Sequence, residues 1–260
     1  MIKLRFALLL FLLLPVNVYA SSADEMGLVI AMQIEKRDAG WSDMLSEMKM
    51  TLRNARGDES VRDIRMKSLE VQDDGDKSLI MFDSPHDIKG TAFLSYTHAL
   101  EPDDQWIYLP ALKRIKRISS SNKSGPFLGS EFAYEDISSQ EVDKYRHLYL
   151  RDDVLHERDV FVTERYPEYE HSGYSKLIVW VDKEMYQPLQ IEYYDRKGAL
   201  LKTLVYKQYK QYLDQYWRPD IMEMSNHQTK KSTLLEWTNY QFQTGLSDRN
   251  FDLSSLKRAR

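Results

Sequence analysis

Polar and apolar residues alternate along most of this chain. In MLSEMKMTLRN, Met48, Met50 and Leu52 fall on one side and Glu47, Lys49 and Arg53 on the other, the two-residue period of a strand with one buried face. ARGD turns the chain, SVRDIRMKSLEV runs back, and DDGD is the next turn signal. KSLIMFDSP is apolar at both parities, so both its faces should be covered. TAFLSYTHAL, QWIYLP and KRIKRIS extend the meander. A second series follows: RDVFVTERYP and YSKLIVWVD around a loop with Gly173, then the hairpin PLQIEYYD–RKG–ALLKTLVYKQYKQY, then YWRPDIMEMSNHQ with KSTLLEWTNYQF. Even spacing and short turns predict antiparallel strands rather than βαβ units. No Pro/Gly-rich linker interrupts them. The pattern predicts a mainly β fold, one continuous and strongly curved antiparallel sheet, in a single domain over residues 21–260.

Two stretches have helical spacing instead. ADEMGLVIAMQIEKRDAG places Met26, Ile30 and Ile34 one turn apart, with Leu28, Val29 and Met32 widening the stripe. Asp24 and Glu25 suit a helix start, and Gly40 suits its end. In PFLGSEFAYEDI, Ser130 can cap a short helix with Glu131 in its first turn. Leu128, Phe132, Ala133 and Ile137 would then meet one surface. Both stripes need an apolar partner, and the concave side of the sheet supplies one.

The first residues add a location. MIKLRF carries Lys3 and Arg5, ALLLFLLLP is an apolar core, and VYA ends at a small-residue cleavage site. This is a secretory signal peptide, residues 1–20, cleaved after Ala20; its apolar run is too short to span a bilayer. The chain has no cysteine, so a lipid anchor at Ser21 and disulfides are both excluded. A soluble exported protein of the bacterial periplasm is expected.

Charge and chemistry narrow the function. Against 36 Lys and Arg stand 40 Asp and Glu, and loss of Lys3 and Arg5 makes the mature chain more acidic, which disfavours nucleic acid as a partner. The 17 Tyr, 9 Phe, 5 Trp and 11 Met residues against 10 Gly suit strands and adaptable apolar surfaces. Catalytic signals are missing. There is no cysteine nucleophile, Ser130 sits in GSE rather than in a nucleophile elbow, and the 6 histidines are scattered without metal-ligand spacing. Asp103 and Asp104 lie in a turn, and no Gly-rich phosphate loop is present. The sequence points to no enzyme, no metal and no cofactor. The cations Lys113, Arg114, Lys116 and Arg117 leave two readings open: an edge strand protected by charge, or a docking patch for an acidic partner or anionic head group.

DQWIYLPALKRIKRISSSNKSGPFLGSEFAYEDI resembles the central motif of the outer-membrane lipoprotein-sorting proteins related to LolA. VWVDKEMYQPLQIEYYDRKGALLKT is similar to that family's following hairpin, and YWRPDIMEMSNHQTKKSTLLEWTNYQFQTGLSDRNFDLSSL to its C-terminal region. The resemblance implies an unclosed antiparallel β-barrel, a half-barrel with an N-terminal helix and a short helical lid over an apolar concave face. It implies a non-enzymatic carrier that holds the acyl chains of a lipoprotein or lipid and ferries them toward the outer membrane. Members of this branch are associated with inner-membrane exporters of the resistance-nodulation-division (RND) superfamily, so such an exporter and an outer-membrane acceptor are the expected partners. The alternative is an accessory module of that exporter, holding protein rather than lipid; a periplasmic enzyme acting on an amphiphile is a further one. This chain is longer than the lipoprotein carrier and divergent from it, and no lid-latching arginine carries over to a position here. Strand alternation then nominates Met48, Met50, Leu52, Ile64, Met66, Phe93, Trp106, Tyr108, Trp180, Ile191 and Tyr193 for the groove. Phe127, Leu128, Phe132 and Ile137 are the lid, SSSNKSGP is its hinge, and Lys113, Arg114, Lys116 and Arg117 are the docking patch beside it.

Overall fold

The computed structural model describes residues 22–258 apart from Asp73, Ser139 and Gln140. The expected signal peptide and its cleavage site lie outside the described residues. Among the described residues, thirteen strands form one antiparallel sheet. The first ladder is β1 (Asp43–Arg53), β2 (Glu59–Leu69), β3 (Lys77–Phe82), β4 (Ala92–Tyr96), β5 (Asp104–Leu109) and β6 (Arg114–Ile118). The second is β7 (Tyr145–Leu155), β8 (Arg158–Pro167), β9 (Tyr174–Asp182), β10 (Pro188–Asp195), β11 (Leu200–Tyr212), β12 (Tyr216–Asn226) and β13 (Ser232–Phe242). Their order across the sheet is β6-β5-β4-β3-β2-β1-β13-β12-β11-β10-β9-β8-β7. The first and last strands therefore meet in the middle, with Met48 opposite Trp237 and Met50 opposite Leu235, while β6 and β7 are free edges. The sheet curves without closing, giving an open half-barrel.

This order dictates the route of the chain between β6 and β7. Residues 119–144 leave one edge and re-enter at the other. Because β6 and β7 are an even number of strands apart, they run the same way, so the connection starts at one end of the half-barrel and finishes at the other. It crosses the concave face diagonally, where Phe127 and Phe132 pack with strands of both ladders. Helix α1 (Ala23–Asp38) shares that face at the β7 margin and begins with a capping box: Glu25 N donates to Ser22 Oγ, and Ser22 N to the Glu25 carboxylate. Gly27 is needed there, since a Cβ would stand 2.7 Å from the Leu148 backbone nitrogen. The opposite, convex face is covered in two places. Phe251 and Leu256 of the C-terminal segment, which ends in α3 (Leu253–Arg258), pack on Leu79, Met81, Ala92, Leu94 and Tyr108. Val160 and Val162 pack with Met185, Leu189, Ile178 and Trp180. β3 is thus buried on both sides, as its unbroken apolar run requires.

Three local expectations are corrected. α1 packs Met26, Ile30 and Ile34 on the core as its spacing predicts, with Gly27 and Ala31 buried beside them, while Leu28, Val29 and Met32, expected to widen the stripe, remain exposed. Ser130 caps no helix. Its hydroxyl donates to the Phe127 and Phe132 carbonyls, and the helix, α2, is a single turn at Tyr134–Ile137. β7 and α3 were not apparent from the alternation.

Candidate functional site

Pairing registers decide which side chains face the covered groove. Met48 stands opposite Ile64, Ile64 opposite Phe82, Met66 opposite Ile80, Ile80 opposite Phe93, and Phe93 opposite Ile107. In the second ladder Ile191 pairs with Val179 and Leu204, and Tyr193 with Leu177 and Lys202. Met48, Met50, Ile64, Phe93, Ile191 and Tyr193 belong to one buried apolar cluster, with Leu52 and Met66 packed against it. Trp106, Tyr108 and Trp180 do not. Trp106 pairs with Leu94 and Tyr108 with Ala92, so both face the convex side beneath the C-terminal segment, and Trp180 joins the other convex cluster. The groove-facing residues of those strands are Ile107, Val179 and Val181. Both faces of β5 and β9 are buried, so alternation defined two faces there without saying which was concave.

The crossover segment plugs the groove with aromatic rings. Phe127 meets Phe93 edge-on at 5.1 Å and Tyr134 edge-on at 5.4 Å. Leu128 and Ile137 pack at its margin. The segment folds on itself: Phe127 N donates to Phe132 O at 2.7 Å, and Tyr134 N to Gly125 O at 3.1 Å. The expected hinge is tied down as well. Lys123 is buried and ion-paired with Asp103 at 3.2 Å, and Asp103 also binds Lys144; burial lowers the Lys123 pKa. SSSNKSGP is therefore an anchored loop rather than a swinging tether.

Polar groups of both ladders fasten this cover. Arg62 on β2 donates to the Leu128 carbonyl at 2.8 Å. Lys202 on β11 donates to Asp136 at 2.6 Å and to the Glu131 carbonyl at 2.9 Å, while lying against the rings of Tyr174 and Tyr193. Asp136 also accepts from Tyr174 Oη and Ala133 N. Glu131 N donates to Thr233, and the Glu131 carboxylate accepts from Asn226. Glu135 accepts from Tyr169, Ser172 and Gly173 N; burial, then the charge of Asp136, raises its pKa. The sequence reading missed Arg62 and Lys202. Each is a cation in an alternation slot otherwise held by core residues, Ile64 and Met66 in one strand and Leu204 in the other, and that was the available signal.

Beyond α2 the groove is not filled. A cavity of about 300 Å³ lies at the end of the concave face where α1 runs into β1, walled by Met44, Met66, Ile137, Met222 and Trp237 and rimmed by Asp38 and Arg218. Arg218 is ion-paired with Asp38 at 2.5 Å. Burial raises the Asp38 pKa. On the same face His147 donates Nε2–H to the Val142 carbonyl, and burial next to Arg165 holds its pKa at about 4.

The docking cations are all exposed, but they do not form one face. Arg114 and Lys116 stand opposite Leu109 and Ile107, on the groove side. Arg117 points the other way and pairs with Asp104, and Lys113 sits in the hairpin turn. Among the described residues no group of three His, Cys, Asp or Glu could hold a metal, and no helix is long and apolar enough to cross a membrane.

A family model described as an uncharacterized protein matches residues 74–258. The crystal structure of an outer membrane lipoprotein-sorting protein domain from Vibrio parahaemolyticus is 56% identical, with a TM-score of 0.89, covering 90% of this chain and 100% of that one. A DUF1329 family protein from Desulfovibrio piger is 29% identical with a TM-score of 0.86, covering 91% of this chain and 100% of its own. A LolA superfamily protein from Nitrosomonas europaea, 20% identical with a TM-score of 0.70 over 91% and 100% of the two chains, shares the fold. The comparison with curated proteins gave no match. With 56% identity over nine-tenths of its length and the open, covered half-barrel in place, the chain belongs to the outer membrane lipoprotein-sorting protein family.

Proposed function

We propose that this protein is a non-enzymatic periplasmic carrier. It holds the acyl chains of a lipoprotein or lipid in the concave groove and carries them toward the outer membrane. Residues 21–260 act as one carrier domain after cleavage behind Ala20. The observation that carries this reading is the cover: a continuous apolar face, from Met48 and Phe93 to Ile191 and Tyr193, closed by a segment of the chain held through separable polar contacts. Each methylene of cargo taken up gains about 0.8 kcal/mol, and the empty groove stays closed because an exposed apolar patch of this extent would aggregate. Met48, Met50, Leu52, Ile64, Met66, Phe93, Ile191 and Tyr193 contact cargo once Phe127, Leu128, Phe132 and Ile137 are displaced.

The donor is an inner-membrane exporter of the RND type and the acceptor lies at the outer membrane; the cations of β6 dock to one of them. A second reading has some support of its own. The unpaired edge of β6 and the exposed Leu28, Val29 and Met32 of α1 suit an exporter module that binds protein. Native mass spectrometry of the protein purified from its own host separates the two. A bound mass extractable into organic solvent supports the carrier. An apo mass, with no binding of a fluorescent acyl probe, supports the module and sinks the carrier.

A further inference from the structure

One row of the concave face breaks its apolar pattern. Ser68 stands opposite Ser78, Ser78 opposite Ser95, and Ser95 opposite Gln105. Each lies two residues from a groove residue, Met66, Ile80, Phe93 and Ile107 in turn, so all four share the groove side. One end of the row serves the cover: Gln105 Nε2 donates to Ser138 Oγ at 2.7 Å and to the Tyr134 carbonyl at 3.3 Å. The other end has no such use. Ser68 and Ser78, with Tyr206 of β11, line the cavity at the end of the groove. Among the described residues none hydrogen-bonds to these three hydroxyls, and none of the three oxygens is sealed inside the protein. Ser68 is nevertheless only 6% exposed, and a hydroxyl taken out of water without a partner is costly. A hydroxyl both donates and accepts. Three of them on one cavity suit a ligand whose own groups do both, which an ester carbonyl does not. The rest of the wall includes the apolar Met66, Ile137 and Met222. The charges at the rim are already committed, Arg218 to Asp38 and Lys77 to Asp248, so a charged ligand would have to break an existing ion pair.

We propose that this cavity binds the neutral sugar ring of a glycolipid head group. The ring's hydroxyls bond to Ser68, Ser78 and Tyr206, and its C–H face packs on the apolar wall. The inference rests on the carrier reading and names the head group of the cargo. The cavity, about 300 Å³, has room for one such ring, whereas water alone would need about ten molecules to fill it.

The test uses the full mature protein and three probes of equal chain length, each below its micelle concentration: decyl β-glucoside, decanol and decyl sulfate. Calorimetry should give an affinity for the glucoside about tenfold above that for decanol, the worth of two net hydrogen bonds, and decyl sulfate should bind no better than decanol. Saturation-transfer NMR should carry magnetisation from the protein to the sugar ring protons as well as to the chain. Ser68→Ala with Ser78→Ala should bring glucoside and decanol to about parity by weakening the glucoside alone, and Tyr206→Phe should weaken it about fivefold. Equal affinity for glucoside and decanol, ring protons that receive no saturation, tighter binding of the sulfate, or a glucoside preference that survives the double serine variant overturns the proposal while leaving the carrier intact. The wild-type measurements decide even if the variants fail to fold. Failure of all three probes to bind removes the carrier reading and this inference together.

Discussion

The sheet is covered on both faces, by two segments built in different ways. The convex cover is mainly apolar: Phe251 and Leu256 are fully buried among Leu79, Met81 and Leu94, with the bond from Tyr96 Oη to the Phe251 carbonyl, the ion pair of Lys77 with the exposed Asp248 and the bond from Thr244 N to Asp43 at its margin. The concave cover has apolar teeth too, but it is fastened through Arg62, Lys202, Asn226 and Thr233. Apolar burial is non-directional and is lost gradually. Charge-assisted bonds are directional, and their groups can be satisfied again by water or by a ligand's head group once they part. Under the proposed carrier function, one cover stays and the other comes away.

Four substitutions bear on that contrast. Phe251→Ala should cost about 4 kcal/mol of global stability, read as a lower denaturant midpoint, with acyl-probe affinity unchanged; altered affinity would mean that the two faces are coupled. Lys202→Met leaves Asp136 buried without its cation and should cost about 3 kcal/mol. It should also speed amide exchange across residues 131–137 while β3–β5 stay protected. Uniform loss of protection would show that the concave cover is as structural as the convex one.

His147 tests the same face through pH. Its pKa is depressed to about 4 by burial, so the native state holds it neutral while the unfolded chain binds a proton below about 6.5. Its stabilising contribution is complete above that value and is lost as pH falls toward 4, amounting to about 2 kcal/mol at pH 5. Glu141 opposes it: burial raises its pKa to about 7, so its contribution is present at low pH and lost as pH rises toward 7. His147→Asn should shrink the fall in Tm between about pH 7.5 and about pH 5; an unchanged fall would place the acid sensitivity elsewhere. The smallest effect belongs to Arg62→Met, which removes one bond to the Leu128 carbonyl. It should favour local opening by about 1 kcal/mol, seen as faster probe association with little change in Tm.

Much of this was legible in the sequence. Alternation located twelve of the strands, because most have one face buried. β7 escaped notice because it is an edge strand carrying Arg146, Arg151, Asp152 and Asp153, which mask the inward Tyr145 and Tyr149 that join the core. Trp106 and Tyr108 were set on the wrong face because Gln105 and Ile107, at the other parity, are buried just as deeply. Large aromatics announce burial without saying against what. The apolar content of the lid could be read locally. Its anchors could not, since Lys202 and Asp136 are 66 residues apart and local spacing carries no information about such a pair.

The central pairing of β1 with β13 has a consequence for how the molecule assembles. Each ladder is a run of hairpins whose contacts are close in sequence, so each can form early and locally. The β1–β13 seam joins the two ends of the described chain, with Arg53 opposite Ser232, and long-range closures of this kind are slow. Arg62 lies in one ladder and Lys202 in the other, so the concave cover finds all its fasteners only after the seam has zipped. During folding the concave face is therefore bare until the final strand arrives. The concave face is most exposed to aggregation in the interval between the forming of the two half-sheets and the closing of the seam.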